Sequence, residues 1–282
     1  MRVLITGAHG QLSSELIRKL SSEHDVFAYS SKDLDITSWS NTSSVVRDVS
    51  PDVVIHSAAI TNIDKAEGDP KNAYLVNSYG TRNVAVAAEQ CGSSLLYLSS
   101  AYVFDGTKAE HGEYDNPRPL NVYGESKLGG ELFVRSFHTK YWIVRTSWLY
   151  GENFIRSIID VLNRQQSLKV SPKQIGSPTS VIDLAAFIQG LIRTESYGIY
   201  HVTNSGRCNK FEYYREILRL LNVQNIEKRL IKAESLSSVP RPPSCSLGQL
   251  SIMFQGFEML RPWDEALEHF MSTRQFVDLN VI

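Results

Sequence analysis

The sequence predicts an α/β fold built on a doubly wound parallel sheet, with a smaller C-terminal α/β lobe. Through the first 150 residues, short β-rich apolar runs alternate with helix-length amphipathic segments, as expected for a parallel sheet covered on both faces. The first run leads into a glycine turn and a helix, and the pattern becomes less regular after Gly151. We predict one unit over residues 1–150 and a lobe over 151–282, interleaved with the first unit and without a flexible linker between them.

Composition excludes several classes of protein. With 282 residues and a net charge of −1, the chain gives no reason to expect a nucleic acid or an anionic membrane surface as partner. No apolar run approaches the roughly 18–20 residues of a membrane span. Its three cysteines, Cys91, Cys208 and Cys245, are widely spaced, which is typical of a reduced cytoplasmic protein without a cysteine metal site.

The first element is an apolar strand, Arg2–Thr6, followed by a glycine turn and a helical pattern through Leu20. Gly7 permits the tight turn, and Gly10 lets the backbone approach a pyrophosphate at the helix N-terminus. Ser13 stands at the third motif position, where a small residue packs helix on strand. The order of strand, glycine turn and helix is the context of a dinucleotide site, so we expect a Rossmann-type sheet.

The second strand, Asp25–Tyr29, leads into Ser30-Ser31-Lys32. An NAD-selective site usually carries an acid at the end of this strand to bind the ribose 2′-hydroxyl. Here the end is neutral to basic, and Asp33 and Asp35 come slightly later. The sequence therefore leaves room for the extra phosphate of NADP, and either NADPH or NADH is expected as cofactor.

Further strands and helices continue the alternation. Small residues, Ser-Ala-Ala-Ile-Thr61, follow the third strand and would let a flat cofactor lie close to the backbone. The predicted elements are a strand at Pro51–His56, a helix at about Pro70–Gln90 containing Asn77, strands at Ser94–Ser99 and Trp142–Thr146, helices at Asn153–Asn163, Ile182–Arg193, Phe211–Leu221 and Trp263–Thr273, and a short strand at Gly198–Val202. His56 and His201 end apolar strands, so we interpret both as structural.

Tyr123 and Lys127 are four residues apart, so on a helix they share one face. A tyrosine titrates near 10, and an adjacent ammonium is expected to lower that pKa toward the working range. Ser100 ends an apolar strand and could hold a substrate oxygen beside the phenol. This combination is suited to moving a proton at a carbonyl or alcohol oxygen while a cofactor transfers hydride.

These residues resemble the extended short-chain dehydrogenases/reductases, and within them the dTDP-4-dehydrorhamnose reductase family. The resemblance covers nearly the whole chain. It is carried by the Gly7/Gly10 motif, Asn77, Ser100 and Tyr123/Lys127, and by the stretches Asp33–Thr37, Thr61–Glu67, Tyr102–Gly106, Pro119–Gly124, Arg145–Trp148, Gly176–Thr179, Gly198–His201 and Arg241-Pro242.

The resemblance implies a reductase of a nucleotide-linked 4-keto sugar, most simply dTDP-4-dehydrorhamnose, in the synthesis of cell-surface polysaccharide precursors. Tyr123 would protonate the sugar oxygen, Lys127 would assist it and contact the nicotinamide ribose, and Ser100 would polarise the ketone. The predicted cofactor contacts are Gly7, Gly10, Gln11, Leu12, Ser30, Ser31, Asp35, Ile36, Ala58, Ala59, Ile60, Thr61, Asn77, Tyr123 and Lys127. The predicted substrate contacts are Thr61, Ser100, Ala101 and Trp148, whose indole would pack on the sugar.

Two positions depart from the family pattern. Ala101 stands where the family carries an aspartate beside the substrate, which leaves the identity of the sugar open. Some relatives bind magnesium at a dimer interface through glutamates. Glu15 matches one such position but Ile182 stands at a second, so we predict no metal, and a homodimer is left open.

Three hypotheses follow: reduction of dTDP-4-dehydrorhamnose, reduction of a different nucleotide-4-keto sugar, and a non-catalytic regulatory subunit that keeps the fold. Ser100, Tyr123 and Lys127 are all present, which favours an enzyme over the third hypothesis.

Overall fold

The computed structural model describes residues 1–233 and 237–276, and the last six residues of the predicted lobe lie outside them. Its main feature is a six-stranded parallel sheet with strand order β10-β5-β4-β3-β1-β2. This confirms the predicted doubly wound α/β class. The strands are β1 Arg2–Thr6, β2 Asp25–Tyr29, β3 Val53–His56, β4 Ser94–Ser100, β5 Tyr141–Thr146, β6 Leu149–Tyr150, β7 Leu168–Val170, β8 Ile175–Gly176, β9 Thr179–Ser180, β10 Gly198–His201, β11 Cys208–Asn209, β12 Leu230–Lys232 and β13 Ser244–Cys245.

Helices cover both faces of this sheet. They are α1 Gln11–Leu20, α2 Trp39–Val49, α3 Ile63–Gly68, α4 Pro70–Tyr74, α5 Thr81–Gln90, α6 Val122–Phe137, α7 Glu152–Asn163, α8 Val181–Leu191, α9 Lys210–Leu220, α10 Ile226–Arg229, α11 Leu250–Phe254 and α12 Trp263–Thr273. No helix among residues 1–233 and 237–276 is both long and apolar enough to cross a membrane.

Side-chain alternation along the strands produces two separate hydrophobic clusters. In β1, Val3 and Ile5 face a cluster that includes α1, α7 and α8, while Leu4 faces one built from α2 and α5. Successive strand residues point to opposite faces, so a strand buried on both sides reads as one continuous apolar run. This is why the sequence of β1 lacks a polar alternation.

Side-chain caps explain where several helices begin. The Ser38 hydroxyl accepts a hydrogen bond from the backbone N–H of Asn41 at the start of α2, and Asn121 accepts one from Gly124 at the start of α6. Asn209 and Glu212 form a capping box at the start of α9. Each cap satisfies backbone donors that a helix leaves unpaired at its N-terminus.

The helix predicted over Pro70–Gln90 is interrupted. Leu75–Gly80 form a π-helical turn between α4 and α5, and this turn contains Asn77. The apolar periodicity of the segment continues through the turn, so sequence spacing alone does not reveal the extra residue.

The second half of the chain contributes to the main sheet. Strand β10 pairs with β5 in parallel, with Ile199 opposite Ile143, and the other described strands of this half lie in three smaller sheets, one of which also contains β6. The division into a unit over residues 1–150 and an interleaved lobe over 151–282 stays a prediction.

Candidate active site

A cleft of about 750 Å³ lies along the carboxyl ends of the parallel strands, where α/β sheets commonly bind ligands. It is lined by most of the residues that the sequence singles out. The predicted residues among its walls are Gly7, Gly10, Gln11, Leu12, Ser30, Ser31, Asp35, Ile36, Ala58, Ala59, Ile60, Thr61, Ser100, Tyr123 and Trp148. Asn77, Lys127 and Ala101 stand behind these walls.

The glycine turn brings β1 against the end of β3. Gly7 has φ +73°, and a Cβ there would lie 2.8 Å from the Ala58 Cα, so no larger residue fits without displacing backbone. Ser13 is buried, and its hydroxyl lies 2.6 Å from that of Ser57. The serine therefore occupies the third motif position as the sequence predicts, with a hydrogen bond in place of glycine packing.

Asp33, which the sequence places slightly after the end of β2, folds back onto the end of that strand. The Ser30 hydroxyl donates to Asp33 Oδ2 at 2.6 Å. This hydrogen bond lowers the pKa of Asp33, and the nearby His9 and Lys32 lower it further. The adenosine end of the cleft therefore has the Asp35 carboxylate in its lining and the Asp33 carboxylate close by, with Lys32 as a cation next to Asp33.

Asn77 holds the loop that follows β3. Its Oδ1 accepts from the backbone N–H of Ile60 at 2.8 Å, and its Nδ2 donates to the Ile60 carbonyl at 3.0 Å and to the Ser126 hydroxyl at 2.9 Å. The Asn77 amide, which lies in the π-helical turn, therefore connects the loop after β3 with α6. The structure gives Asn77 a positioning role, and its predicted direct contact with the cofactor stays a prediction.

Tyr123 lies on the first turn of α6 with Ser100 opposite it at the end of β4. Burial raises the pKa of the Tyr123 phenol, and the hydrogen-bonding Ser100 side chain opposes that rise. The lowered pKa expected from Lys127 is therefore not found, because burial dominates and Lys127 is not among the groups that shift the Tyr123 pKa. A raised pKa keeps the phenol protonated, which is the state that a proton donor to a ketone oxygen needs.

Lys127 is buried one turn along α6. Its Nζ lies 4.2 Å from the centre of the Tyr97 ring. Burial lowers the pKa of Lys127 to about 7, and the charge of Glu131 opposes this. The ammonium is therefore only partly charged near neutral pH in the absence of ligand.

A buried ion pair stands behind this lysine. Glu131 accepts hydrogen bonds from Arg145 Nη2 at 2.6 Å and Nε at 2.9 Å, and from the Ser99 hydroxyl at 2.6 Å. The pair ties α6 to the ends of β4 and β5, next to Ser100. Sequence reasoning missed this pair because the three residues are far apart in sequence, although Arg145 begins a stretch, Arg145–Trp148, that carries the family resemblance.

Trp148 forms the wall on the lobe side. A Cβ on Gly176 would lie 2.5 Å from the indole, so the ring rests directly on the Gly176 backbone. Cys208 and Cys245 both pair with Gly176 across their sheet and so flank that position. The indole is held by the lobe while it faces the cleft, which suits packing on a sugar ring.

Tyr102 also lines the cleft, although it was not predicted as a site residue. Its ring packs edge-on against Tyr123 with centres 5.6 Å apart, and it hydrogen-bonds to Arg241. Its position two residues after Ser100, the last residue of β4, was the available signal.

Ala101 is only 1% exposed. It belongs to an apolar cluster with Cys245 and Leu247, at the start of a 3₁₀ turn over Ala101–Val103, and Tyr123 and Trp148 pack against the same cluster. Ala101 is not among the residues that line the cleft, and its predicted substrate contact stays a prediction.

His56 and His201 are fully buried, and burial lowers the pKa of each to about 3. His56 shares hydrogen bonds with Thr6 and Thr81, and His201 with the Gly248 carbonyl and Arg145. Both stay neutral at physiological pH, in agreement with the structural role that the sequence predicts.

The surroundings of Glu15 do not fit a divalent cation. The Glu15 carboxylate is buried and bonded to two guanidinium groups, those of Arg18 and Arg274. Among the residues that the structure describes, no group of three or more potential metal ligands is found. The two arginines compensate the negative charge of Glu15, so a metal ion is not needed to do so.

Comparisons with known proteins agree with this geometry. The family model described as RmlD substrate binding domain matches residues 1–276. A dTDP-4-dehydrorhamnose reductase from Bacillus anthracis, solved with NADP, is 40% identical and superimposes with a TM-score of 0.93, covering 96% of this chain and 99% of that one.

Two curated relatives match over most of their lengths. The spore coat polysaccharide biosynthesis protein SpsK of Bacillus subtilis is 34% identical, over 97% of this chain and 98% of its own. A dTDP-4-dehydrorhamnose reductase of Sinorhizobium fredii is 32% identical, over 86% and 85%.

Proposed function

The chain belongs to the RmlD substrate binding domain family, and from that premise we propose that it is an NAD(P)H-dependent reductase of a nucleotide-linked 4-keto deoxysugar. The substrate supported best is dTDP-4-dehydrorhamnose, which would give dTDP-L-rhamnose for a polysaccharide precursor. Relatives named for this activity span nearly the full chain, and one similar protein is named for polysaccharide biosynthesis.

The observation that carries the proposal is the Tyr123 phenol, held protonated by burial and paired with Ser100 inside the cleft. A substrate ketone placed between the two hydroxyls would accept hydrogen bonds from both. Charge develops on that oxygen as the ketone is reduced, and fixed donors there stabilise the transition state more than the ground state.

When bound, the nicotinamide cofactor supplies hydride to the sugar carbon. Tyr123 then transfers its proton to the oxygen, and the nearby Lys127 charge compensates the phenolate that is left. Trp148 and Tyr102 limit water access on the lobe side and fix the orientation of the sugar ring. The Gly7–Gly10 turn and the loop after β3, which Asn77 holds through Ile60, position the cofactor along the carboxyl ends of the strands.

Reduction of a different nucleotide-4-keto sugar is the second candidate. It is favoured by Ala101, which follows Ser100 directly, where the family pattern has an aspartate. A non-catalytic subunit has less support, since Ser100, Tyr123 and Lys127 are assembled around one cleft. The cytoplasmic location is supported by the free thiols of the described cysteines, and a homodimer stays a prediction.

The experiment is NADPH oxidation with a panel of nucleotide-4-keto sugars, with the products identified by NMR. We expect turnover of dTDP-4-dehydrorhamnose to a 6-deoxy-L-mannose product. Turnover of another 4-keto sugar alone would favour the second candidate. Absence of NADPH oxidation with every sugar, in a protein that binds NADPH, would overturn the assignment as an enzyme.

A further inference from the structure

Trp148 has a backbone conformation that is unusual for its residue type. Its φ is +42°, in the left-handed region, which bulky side chains rarely adopt. The residue is half-buried and its side chain lines the cleft. Outliers of this kind persist where the surrounding structure over-determines them, and they cluster at functional sites. The contacts that hold Trp148 in place therefore bear on what the cleft does.

One short stretch, Gly176–Thr179, holds Trp148 through its backbone. The Thr179 N–H donates to the Trp148 carbonyl at 3.2 Å, and Leu149 pairs with Thr179 where β6 and β9 run in parallel. The Thr179 hydroxyl in turn donates to the Ser177 carbonyl at 3.1 Å, which fixes the stretch itself. The backbone of Trp148 is thus fastened to this stretch.

The same stretch supplies the surface on which the indole rests. A Cβ built on Gly176 would lie 2.5, 2.8 and 2.9 Å from the indole atoms Cε2, Cδ2 and Cζ2. Carbon atoms in contact prefer a separation of about 3.5–4.0 Å, so a methyl group at this point would overlap the ring by about 1 Å. The indole can occupy its position only because residue 176 has no side chain.

The backbone of Gly176 does not itself require glycine. Its φ is not positive, so residues with a side chain could adopt the same conformation. The left-handed residue of the pair is Trp148, and the glycine stands opposite its ring. What glycine supplies at position 176 is therefore room for the indole.

Two cysteines close the sides of this space. Cys208 on β11 and Cys245 on β13 both pair with Gly176 on β8, and directly paired residues carry their side chains on the same face of a sheet. The two cysteines belong to different apolar clusters, and Trp148 packs against both clusters. The indole thus lies in a slot with Gly176 as its floor and a cysteine on each side.

We propose that Gly176 is a specificity-determining position that sets the depth of the sugar site through Trp148. This rests on the proposed function, in which the sugar ring packs on the indole. A side chain at position 176 would push the indole off the floor of the slot. Because the cysteines flank the ring, the displacement would be toward the cleft, where it would take up room that the sugar needs.

Gly176 is a positioning residue, since it is not among the residues that line the cleft and acts only through Trp148. Every other residue type has a Cβ, so glycine gives the deepest sugar site that this slot allows. The hydroxyls of Ser100 and Tyr123 are held by other elements, β4 and α6. A change at position 176 should therefore affect binding of the sugar more than the chemical step.

The first test is steady-state kinetics of Gly176→Ala with the 4-keto sugar that wild type reduces. A misplacement of about 1 Å in an enzyme site can cost about 10²-fold. We expect KM for the sugar to rise at least tenfold, kcat to change less than threefold, and the Kd for NADPH to stay within twofold. A KM for the sugar within twofold of wild type would show the proposal to be wrong.

Gly190→Ala is the matched control. Gly190 lies on α8 in the same half of the chain, and a Cβ there would meet nothing within 4 Å. The same glycine-to-alanine change at this position should leave KM, kcat and the Kd for NADPH unchanged. A tenfold rise in KM for Gly190→Ala would show that the effect is not specific to the slot, and would overturn the proposal.

A second measurement follows the indole directly and needs no turnover. The chain has four tryptophans, so protein labelled with 5-fluorotryptophan should give four ¹⁹F resonances, and Trp148→Phe identifies the one that belongs to Trp148. We expect Gly176→Ala to move that resonance and to leave the other three in place. An unmoved Trp148 resonance would show that residue 176 does not set the position of the indole.

The double variant Gly176→Ala/Trp148→Phe tests whether the methyl group acts through the indole. Phenylalanine lacks the second ring and leaves room for the methyl, so the double variant should fold even if Gly176→Ala alone does not. Its KM for the sugar should be within twofold of that of Trp148→Phe, because the coupled contact is already lost. A double variant that fails to fold, or whose KM is tenfold above that of Trp148→Phe, would contradict the proposal.

Failure of this proposal and failure of the proposed function give different results. A Trp148 resonance that moves in Gly176→Ala, in a protein that reduces no 4-keto sugar, would support the slot and reject the reductase. Turnover of the sugar with an unchanged KM in Gly176→Ala would support the reductase and reject position 176 as a determinant of the sugar site.

Discussion

Glu131 lies one helical turn beyond Lys127, and its carboxylate is held by Arg145 on the neighbouring strand. From this position its charge raises the pKa of Lys127, against the burial that lowers it to about 7. A residue held in place by an ion pair therefore helps to set the charge of a lysine beside the catalytic phenol. Glu131 is therefore a positioning residue that acts through Lys127.

We expect Glu131→Gln to move the alkaline limb of the kcat–pH profile toward lower pH. Without the negative charge, the pKa of Lys127 falls further, and the lysine loses its proton earlier as the pH rises. A displacement of about one pH unit corresponds to about 1.4 kcal/mol. The measurement is kcat for NADPH oxidation from about pH 6 to about pH 9, a range that brackets the pKa of Lys127.

Ser99→Ala separates this electrostatic effect from a loss of structure. It removes one hydrogen bond to Glu131 but keeps the carboxylate charge, so stability should fall by about 1 kcal/mol while the profile stays in place. An identical displacement in both variants would show that the effect is structural.

Tyr123→Phe should remove catalysis and keep cofactor binding. The ring and its edge-on contact with Tyr102 remain, while the transferable proton is lost. General acid catalysis contributes about 10²–10⁴ in rate, so kcat should fall by that factor. The check is steady-state kinetics with a fluorescence titration of NADPH, and a kcat within twofold of wild type would contradict the role.

NADPH should bind at least as well as NADH, because Lys32 follows the end of β2 and the nearby Asp33 carboxylate is turned onto Ser30 by a hydrogen bond. Asp33→Asn should increase the preference for NADPH, since it removes the charge that repels a 2′-phosphate. Like charges brought together in such a site cost several kcal/mol. Fluorescence titration of both cofactors tests this, and a tenfold preference of wild type for NADH would disprove it.

Ala101→Asp should destabilise the protein. The new carboxylate would enter the apolar cluster that contains Cys245 and Leu247, and burying an unpaired polar group costs about 1–3 kcal/mol or more. The thermal midpoint should fall by several degrees, with Ala101→Ser as the milder control. An unchanged midpoint together with a higher kcat/KM would instead place this side chain against the substrate.

Arg274→Ala should lower stability, because it removes one of the two arginines that neutralise the buried Glu15. Arg219→Ala is the control, since that arginine forms exposed ion pairs with Glu216 and Glu268, which contribute little. Thermal midpoints with and without EDTA complete the test. A midpoint that falls in EDTA and recovers with magnesium would show that a metal acts here after all.

Local patterns predicted much of the cleft from sequence. The four-residue spacing of Tyr123 and Lys127 fixes their shared face, and the glycine turn fixes the contact between β1 and β3. Both follow from geometry within a few residues. The α/β class followed for the same reason, since each strand of the six-stranded sheet coincides with an apolar run in the sequence.

Non-local contacts and small local turns explain what the sequence did not reveal. The carboxylate of Asp33 folds back onto Ser30, and a 3₁₀ turn directs Ala101 into an apolar cluster. None of these arrangements has a spacing that can be recognised in one sequence.

Strand β10 has a consequence for how such a protein can evolve. Because Gly198–His201 pairs along β5, a chain ending near residue 150 would leave β5 as an unpaired sheet edge, a surface prone to aggregation. Recombination between relatives could therefore exchange the segments around Trp148 and Gly176 only together with a compatible β10. Variation in substrate preference should accumulate by point substitution within the lobe rather than by the exchange of whole halves.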